Sequence, residues 1–375
     1  MIEKFKEPVL VTKSSLPPIE EYSSELKNIW DSRWLTNNGS YHEKFKEGAA
    51  KYLKVKNLEL FTNGHLALEI AIKLFKLSGE IITTPFTFAS TTHSIKLNGI
   101  KPIFCDINST DFTIDADKIE ALITEKTTAI MPVHVYGNPC NIKKIEEIAR
   151  KYNLKVIYDA AHTFGVEVDG KGIGEFGDIS MFSCHATKVF HSIEGGILTF
   201  NDEKYKRDLY LLKNFGISGP EGVELVGTNA KMNEFQALMG VLNLKYIDEN
   251  IEKRKKATFK YREMLGKIEG IRYLEDMEGV KHNYSYFPVI IDETKFGKTR
   301  DELYDKLSEY NVIARKYFYP LVNDFNCYKD EYSSKDTPVA KYFSDRVLTL
   351  PIYADIEMET IEKICNIIEE IKNAK

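Results

Sequence analysis

Val156-Ile157-Tyr158-Asp159-Ala160-Ala161-His162 is an apolar, β-branched run that stops at an acid, two alanines and a histidine. With no polar alternation, it reads as a strand buried on both faces, the habit of parallel sheets covered by helices. An acid at the carboxyl end of such a strand sits where open α/β sheets bind their ligands. Downstream, Ser183-Cys184-His185-Ala186-Thr187-Lys188 places a lysine in a small-residue turn just past another strand-like run. Partial desolvation there lowers an amine's pKa and makes it able to form a Schiff base. Upstream, Phe61-Thr62-Asn63-Gly64-His65-Leu66-Ala67-Leu68 passes from a β-like run through a flexible turn into a helical pattern. The amino end of a helix offers unpaired N–H groups and a favourable dipole, and Gly64 lets an anion approach the backbone. Taken singly, each segment also fits a plainer reading: a helix-capping Asp159 with a structural His162, a solvated Lys188, an ordinary strand-to-helix turn at Gly64.

Outward from these segments, short β-rich runs at 58–61, 81–84, 102–107, 129–135, 155–158, 178–183 and 196–200 alternate with helical patterns. Ile142, Ile145, Ile148 and Ala149 recur at helical spacing within 142–152, and 116–123 behaves likewise. The expectation is an α/β fold: a large domain on a mixed seven-stranded sheet with crossover helices. A helical pattern unbroken by proline runs from 233 to 265 and reads as a connector, with the domain boundary near residue 250. Beyond it, strands at 286–291, 312–318 and 347–352 and helices at 300–309 and 359–372 form a smaller α+β domain. The division expected is therefore 1–250 and 251–375.

The chain of 375 residues has ample material for a deep site. Its net charge of -5 gives no field that would attract nucleic acid, so a phosphorylated substrate needs a local basic pocket. Five cysteines, with no CxxC pair and no metal-ligand spacing, fit a reduced cytosolic protein. The first residues carry Lys4, Lys6 and Glu7 and no continuous hydrophobic stretch, so neither a signal peptide nor a membrane span is expected, and the protein is read as cytoplasmic.

The three segments occur in a recognisable order. Together with TTPFTFAST at 83–91, PVHVYG at 132–137, DAAHTFG at 159–165, SCHATKVFHSIEGG at 183–196 and GTNAKMNEFQALMG at 227–240, the chain resembles the DegT/StrS-type sugar-nucleotide aminotransferases of the fold-type-I superfamily that uses pyridoxal 5'-phosphate. Carried over residue by residue, the resemblance implies that the Gly64 and His65 backbone and the Ser183 hydroxyl hold the cofactor phosphate. Phe88 stacks on the ring, Asp159 pairs with its nitrogen and His162 approaches its phenolic oxygen. Lys188 carries the cofactor as a Schiff base and moves the proton, and Asn229 reaches across a homodimer interface to the partner's phosphate. Three departures stand out. His65 replaces a common threonine or serine, Cys184 a common phenylalanine, and Ala230-Lys231 a common tyrosine-arginine, so no role is carried over for those last two positions.

The resemblance further implies L-glutamate as donor and a nucleotide-linked 4-keto-6-deoxy sugar as acceptor. EGG at 194–196 looks like C4-aminating relatives, whereas C3-aminating ones tend to carry PGKN…GD. WLTNNG at 34–39, HATKVFHSIEGG at 185–196 and ARKYFYPL at 314–321 look most like relatives that aminate dTDP-4-keto-6-deoxy-glucose, and that resemblance implies a place in surface polysaccharide or lipopolysaccharide synthesis. The alternatives are a C3 or other nucleotide-sugar aminotransferase and, in a different class, a non-catalytic regulatory protein of the same fold. Asn37, Asn38, Arg315, Lys316, Tyr317 and Tyr319 are the candidates for the sugar and pyrophosphate pocket. Two phosphate charges must be countered locally, and neighbours on a strand face opposite ways, so one of Arg315 and Lys316 is expected to enter the pocket.

Overall fold

The computed structural model describes residues 2–374. In chain order the elements are β1 (Val9–Leu10), α1 (Ile19–Ser32), α2 (Ser40–Leu53), β2 (Leu58–Phe61), α3 (Gly64–Leu74), β3 (Glu80–Thr83), α4 (Ala89–Leu97), β4 (Lys101–Phe104), α5 (Ala116–Ile119), β5 (Thr127–Met131) and α6 (Ile142–Tyr152). Next come β6 (Lys155–Asp159), β7 (Glu167–Val168), β8 (Lys171–Gly172), β9 (Ile179–Ser183), β10 (Gly196–Phe200), α7 (Tyr205–Lys213), α8 (Glu234–Asn243) and α9 (Ile247–Leu265). The remainder holds β11 (Ile271–Tyr273), β12 (Val280–Lys281), β13 (Phe287–Ile291), α10 (Glu293–Phe296), α11 (Arg300–Glu309), β14 (Val312–Ile313), α12 (Pro338–Ser344), β15 (Val347–Leu350) and α13 (Met358–Asn373).

All seven strands expected before residue 200 form one sheet, in the order β2-β10-β9-β6-β5-β3-β4. Only β10 runs against its neighbours, so the sheet is mixed. Side chains alternate across it. Leu58, Leu60, Val156, Tyr158 and Phe182 pack beneath α2, α6 and α8, while Phe61, Ile157, Ile179 and Met181 pack beneath α3 and α7. Two covered faces explain why the strands read as unbroken apolar runs. The six parallel strands bring their carboxyl ends to one edge, where the turns carrying Gly64, Phe88, His134, Asp159 and Lys188 emerge.

The helical pattern at 233–265 is two helices. Asn233 and Gln236 open α8 with a reciprocal capping box, the chain turns through Leu244–Tyr246, and α9 sets off anew. α9 itself joins the two cores: Ile247 and Ile251 belong to the large core, whereas Ala257, Tyr261 and Leu265 belong to a second core built on β13, β15, α11 and α13. Sequence periodicity cannot register the turn between α8 and α9, because both halves keep helical spacing. The expected strand at 312–318 is also shorter. Beyond β14 only Arg315 pairs, with Thr349, and Tyr317 and Phe318 turn towards the large domain, where Phe318 packs on Phe86 and Tyr136. Burying two aromatic rings outweighs two more ladder bonds.

The first residues join the second core although the expected division groups them with 1–250. Val9 and Leu10 pair in parallel with Val312 and Ile313, and Ile2 and Phe5 pack on the same core. Among the described residues no helix is long and apolar enough to cross a membrane.

Candidate active site

A cavity of about 490 Å³ opens at the carboxyl edge of the large sheet, roofed by Tyr286, Tyr317 and Phe318, which pack with Phe86 and Tyr136 in a cluster of their own. Gly64, His65, Phe88, Asp159, His162, Ser183, Lys188 and Tyr317 all line it, so eight residues singled out in the sequence meet in one place.

Gly64 opens α3, whose Asn63 cap accepts the Leu66 N–H at 2.9 Å. A β-carbon at Gly64 would lie 2.9 Å from Met181 Sδ, and one at Gly196 would lie 2.5 Å from the Asn63 carbonyl oxygen. Gly196 is needed for β10 to close against this turn, because a β-carbon there would strike backbone, whereas at Gly64 it would meet only the flexible end of Met181. The His65 side chain is held in place as well: its Nδ1 lies 2.8 Å from Ser90 Oγ and its Nε2 3.2 Å from Glu69 Oε1. Phe88 precedes α4 and is 61% exposed, its ring presented to the cavity.

Asp159 ends β6 and is 4% exposed. Its Oδ2 accepts from Thr91 Oγ1 at 2.7 Å and its Oδ1 from the Ala161 N–H at 3.1 Å. Burial raises its pKa from the ordinary carboxylate value, while those bonds and the Lys188 charge pull the other way. A desolvated carboxylate facing a cavity is poised for a cationic N–H. The His162 Nδ1 accepts the Tyr136 N–H at 3.1 Å, and burial holds its pKa well below the usual value, so this ring stays neutral. Lys188 leaves the end of β9 half-buried, and among the described residues its amine makes no ion pair. The Ser183 hydroxyl stands at the foot of the same turn, accepting the His185 N–H at 3.4 Å.

Several lining residues went unread in the sequence. Thr87, Ser90, His185, Glu194, Tyr286 and Phe318 reach the cavity, and Tyr286 comes from a segment legible only as the start of a strand. For His185 and Glu194 a signal existed, since both lie in the stretch that carries Lys188; the two side chains approach to 3.5 Å.

Other candidates do not line the cavity within this chain. Asn229 is exposed on a loop rooted by its pairing with Asn214, and its Oδ1 accepts from Lys231 Nζ at 2.8 Å. The root is firm, because buried Lys213 donates to Glu59 Oε1 at 2.6 Å and its carbonyl accepts the Ala230 N–H at 3.0 Å. Asn37 and Asn38 are successive left-handed residues (φ 61° and 56°) just before α2. Lys316 pairs with Asp301 at 2.5 Å and lies 4.5 Å from the Tyr304 ring centre, whereas Arg315 is exposed and its side chain has no partner among the described residues. Tyr319 is exposed, 4.7 Å beneath the Arg300 guanidinium.

The family model described as the DegT/DnrJ/EryC1/StrS aminotransferase family matches residues 18–369. The chain is 42% identical to a dTDP-4-amino-4,6-dideoxy-D-glucose transaminase of Shigella dysenteriae over 98% of its own length and all of that protein's. To a protein of the same name from Escherichia coli it is 40% identical, over 96% and 97% of the two chains. Its fold superposes with a TM-score of 0.94 on DesI, a structure determined in the presence of its TDP-sugar product, at 30% identity and covering 99% and 94% of the two chains.

Proposed function

The chain belongs to the DegT/DnrJ/EryC1/StrS aminotransferase family and is an aminotransferase, and we propose that it moves an amino group from L-glutamate to C4 of dTDP-4-keto-6-deoxy-glucose. The product, dTDP-4-amino-4,6-dideoxy-glucose, would feed a surface glycan such as lipopolysaccharide. The observation that carries the reading is that one cavity at the sheet edge is lined by a buried carboxylate at Asp159, an amine at Lys188 that makes no ion pair among the described residues, and Phe88.

These residues fit pyridoxal 5'-phosphate, which when bound supplies an electrophilic carbon for amines and a ring that withdraws electrons. The amino end of α3 at Gly64 and His65, with the Ser183 hydroxyl, would receive its phosphate. Phe88 offers a flat apolar face to the ring. Asp159, unable to shed its charge to water, holds a proton on the ring nitrogen. Lys188 would anchor the group and, once released, move the proton between the donor's carbon and the cofactor's C4' as general base and acid, and do the same in reverse for the sugar carbon in the second stage. With Nδ1 accepting from Tyr136, neutral His162 would present Nε2–H as a donor without adding charge beside Asp159.

Asn229 completes the phosphate cradle of a partner chain in this reading, which makes the working unit a homodimer. Support comes from the loop itself: Phe215, Val223 and Val226 are exposed apolar side chains beside it, as are Trp30, Trp34 and Leu35 near the Asn37-Asn38 turn. On the sugar side Arg315 is the basic group free to meet a pyrophosphate, while Lys316 is committed to Asp301. Asn37, Asn38, Tyr317 and Tyr319 remain the proposed sugar contacts. The protein would work in the cytoplasm, where nucleotide sugars are made.

The test is turnover with L-glutamate and a panel of nucleotide-linked 4-keto and 3-keto sugars, with the position of the new amine read by NMR. Amination at C4 of the dTDP sugar is expected; preference for a C3 ketone or a GDP sugar would overturn the substrate. Asp159→Asn tests the site, since asparagine caps a turn as well as aspartate does but cannot favour a proton on the ring nitrogen. Full activity in that variant would remove Asp159 from the chemistry.

A further inference from the structure

The Lys188 amine has one hydrogen-bond partner among the described residues, the Tyr286 hydroxyl at 3.4 Å. Tyr286 comes from the chain just ahead of β13, and its ring stands 4.9 Å from that of His162 and 6.0 Å from that of Tyr317. The residues just ahead of it are held from three sides. Asn283 Nδ2 donates to the carbonyls of His162 (2.8 Å) and Phe164 (3.0 Å). Ser285 Oγ donates to the Tyr136 carbonyl at 2.6 Å, and Arg254, 1% exposed, reaches the Ser285 carbonyl at 3.4 Å. The phenol is therefore registered to the loop that follows Asp159, although its segment leads into the second core.

The chemistry of a phenol suits this place. A lysine that both anchors a cofactor and moves a proton must spend part of each turnover as a free amine on a flexible four-carbon stem. A carboxylate beside it would hold the stem but keep the amine protonated and useless as a base. A hydroxyl accepts from the ammonium form and donates to the neutral form, so it holds the amine in either state with no change in its own charge. We propose that Tyr286 is a positioning residue for this reaction: its hydroxyl docks the Lys188 amine whenever that amine is not bonded to the cofactor and keeps it beside the reacting carbon. This rests on the role given to Lys188 above.

Tyr286→Phe removes the hydroxyl and keeps the ring that packs on His162 and Tyr317. In the holoenzyme, both half-reactions should slow by about tenfold to 10²-fold while the KM for each substrate stays within about twofold, the signature of a misplaced reacting group. Apoprotein mixed with pyridoxal 5'-phosphate should develop its visible absorbance several-fold more slowly than the parent, on the order of the loss expected for an unoriented amine. Borohydride reduction followed by peptide mapping separates the two readings. Label on another lysine overturns the role of Lys188 and this proposal with it. Label on Lys188, with half-reactions and loading at parental rates, overturns the proposal alone and leaves Tyr286 as a wall of the cavity.

Discussion

The floor of the cavity and its far wall are built in different ways. Floor groups follow the ends of paired strands: Asp159 faces Met181 across the β6–β9 ladder, and Phe61, just before Gly64, faces Gly196 across β2–β10. Many backbone bonds share the task of placing each of them. The wall, made of Tyr286, Tyr317 and Phe318, hangs on single side chains, with Asn283, Ser285 and Arg254 holding one part and the Tyr136 hydroxyl, bonded to the Tyr317 carbonyl, holding the other. The lesson is that floor positions should tolerate loss of a functional side chain without moving, whereas wall positions should lose geometry when any one support is cut.

Lys188→Ala gives the largest effect. Turnover should fall by about 10²-fold or more with an unchanged melting temperature, because the floor does not depend on this side chain. Residual activity within about tenfold of the parent would show that another group moves the proton.

Asn283→Ala tests the wall. It strips a donor from two buried carbonyls, so stability should drop by roughly 1–3 kcal/mol. Turnover should fall several-fold at nearly constant KM as Tyr286 loosens, by the order expected for a small misplacement. A stability loss with no change in kcat would place Asn283 outside the positioning of Tyr286.

The next effect divides the two regions by pH. His134 lies under the floor, fully buried and stacked on Tyr158 at 4.5 Å, and burial lowers its pKa to about 3. The unfolded chain binds its proton near the ordinary histidine pKa of about 6.5, and the folded chain does not until far lower pH. Its contribution is therefore fully present above about pH 6.5 and lost as pH falls, about 1–2 kcal/mol between pH 7 and pH 5. Neutral His162 adds to the same slope. Denaturant midpoints at pH 7 and pH 5 measure it, and His134→Asn should make the slope shallower; an unchanged slope would mean that His134 is charged in the folded state.

The smallest effect separates two neighbouring residues near the wall. Arg315→Gln should raise the KM for the dTDP sugar several-fold, about what one charge-assisted contact contributes, and leave the half-reaction with glutamate unchanged. Lys316→Gln should cost less than about 1 kcal/mol of stability, the worth of an ion pair with a half-exposed partner, and leave the sugar KM alone. The reverse pattern would exchange their roles.

Much of the floor was legible before any coordinates, because the features that build it are local. A strand buried on both faces shows as an unbroken apolar run such as 156–158, its end as an acid or a small-residue turn, and an amphipathic crossover helix as the spacing of Ile142, Ile145 and Ile148. The order of Gly64, Asp159 and Lys188 along the chain therefore carried the fold class and the candidate chemistry together. What only the tertiary structure decided are contacts between segments with no local signature of each other. Tyr286 meets Lys188 across 98 residues, Val9 finds its strand partner in Val312, and the pattern at 233–265 is two helices of which the second runs from one core into the other. Closing a long loop costs little more than closing a shorter one, so chain separation hardly restricts which segments meet. The choice falls to packing and hydrogen bonding, which act on side chains only after the backbone has brought them together.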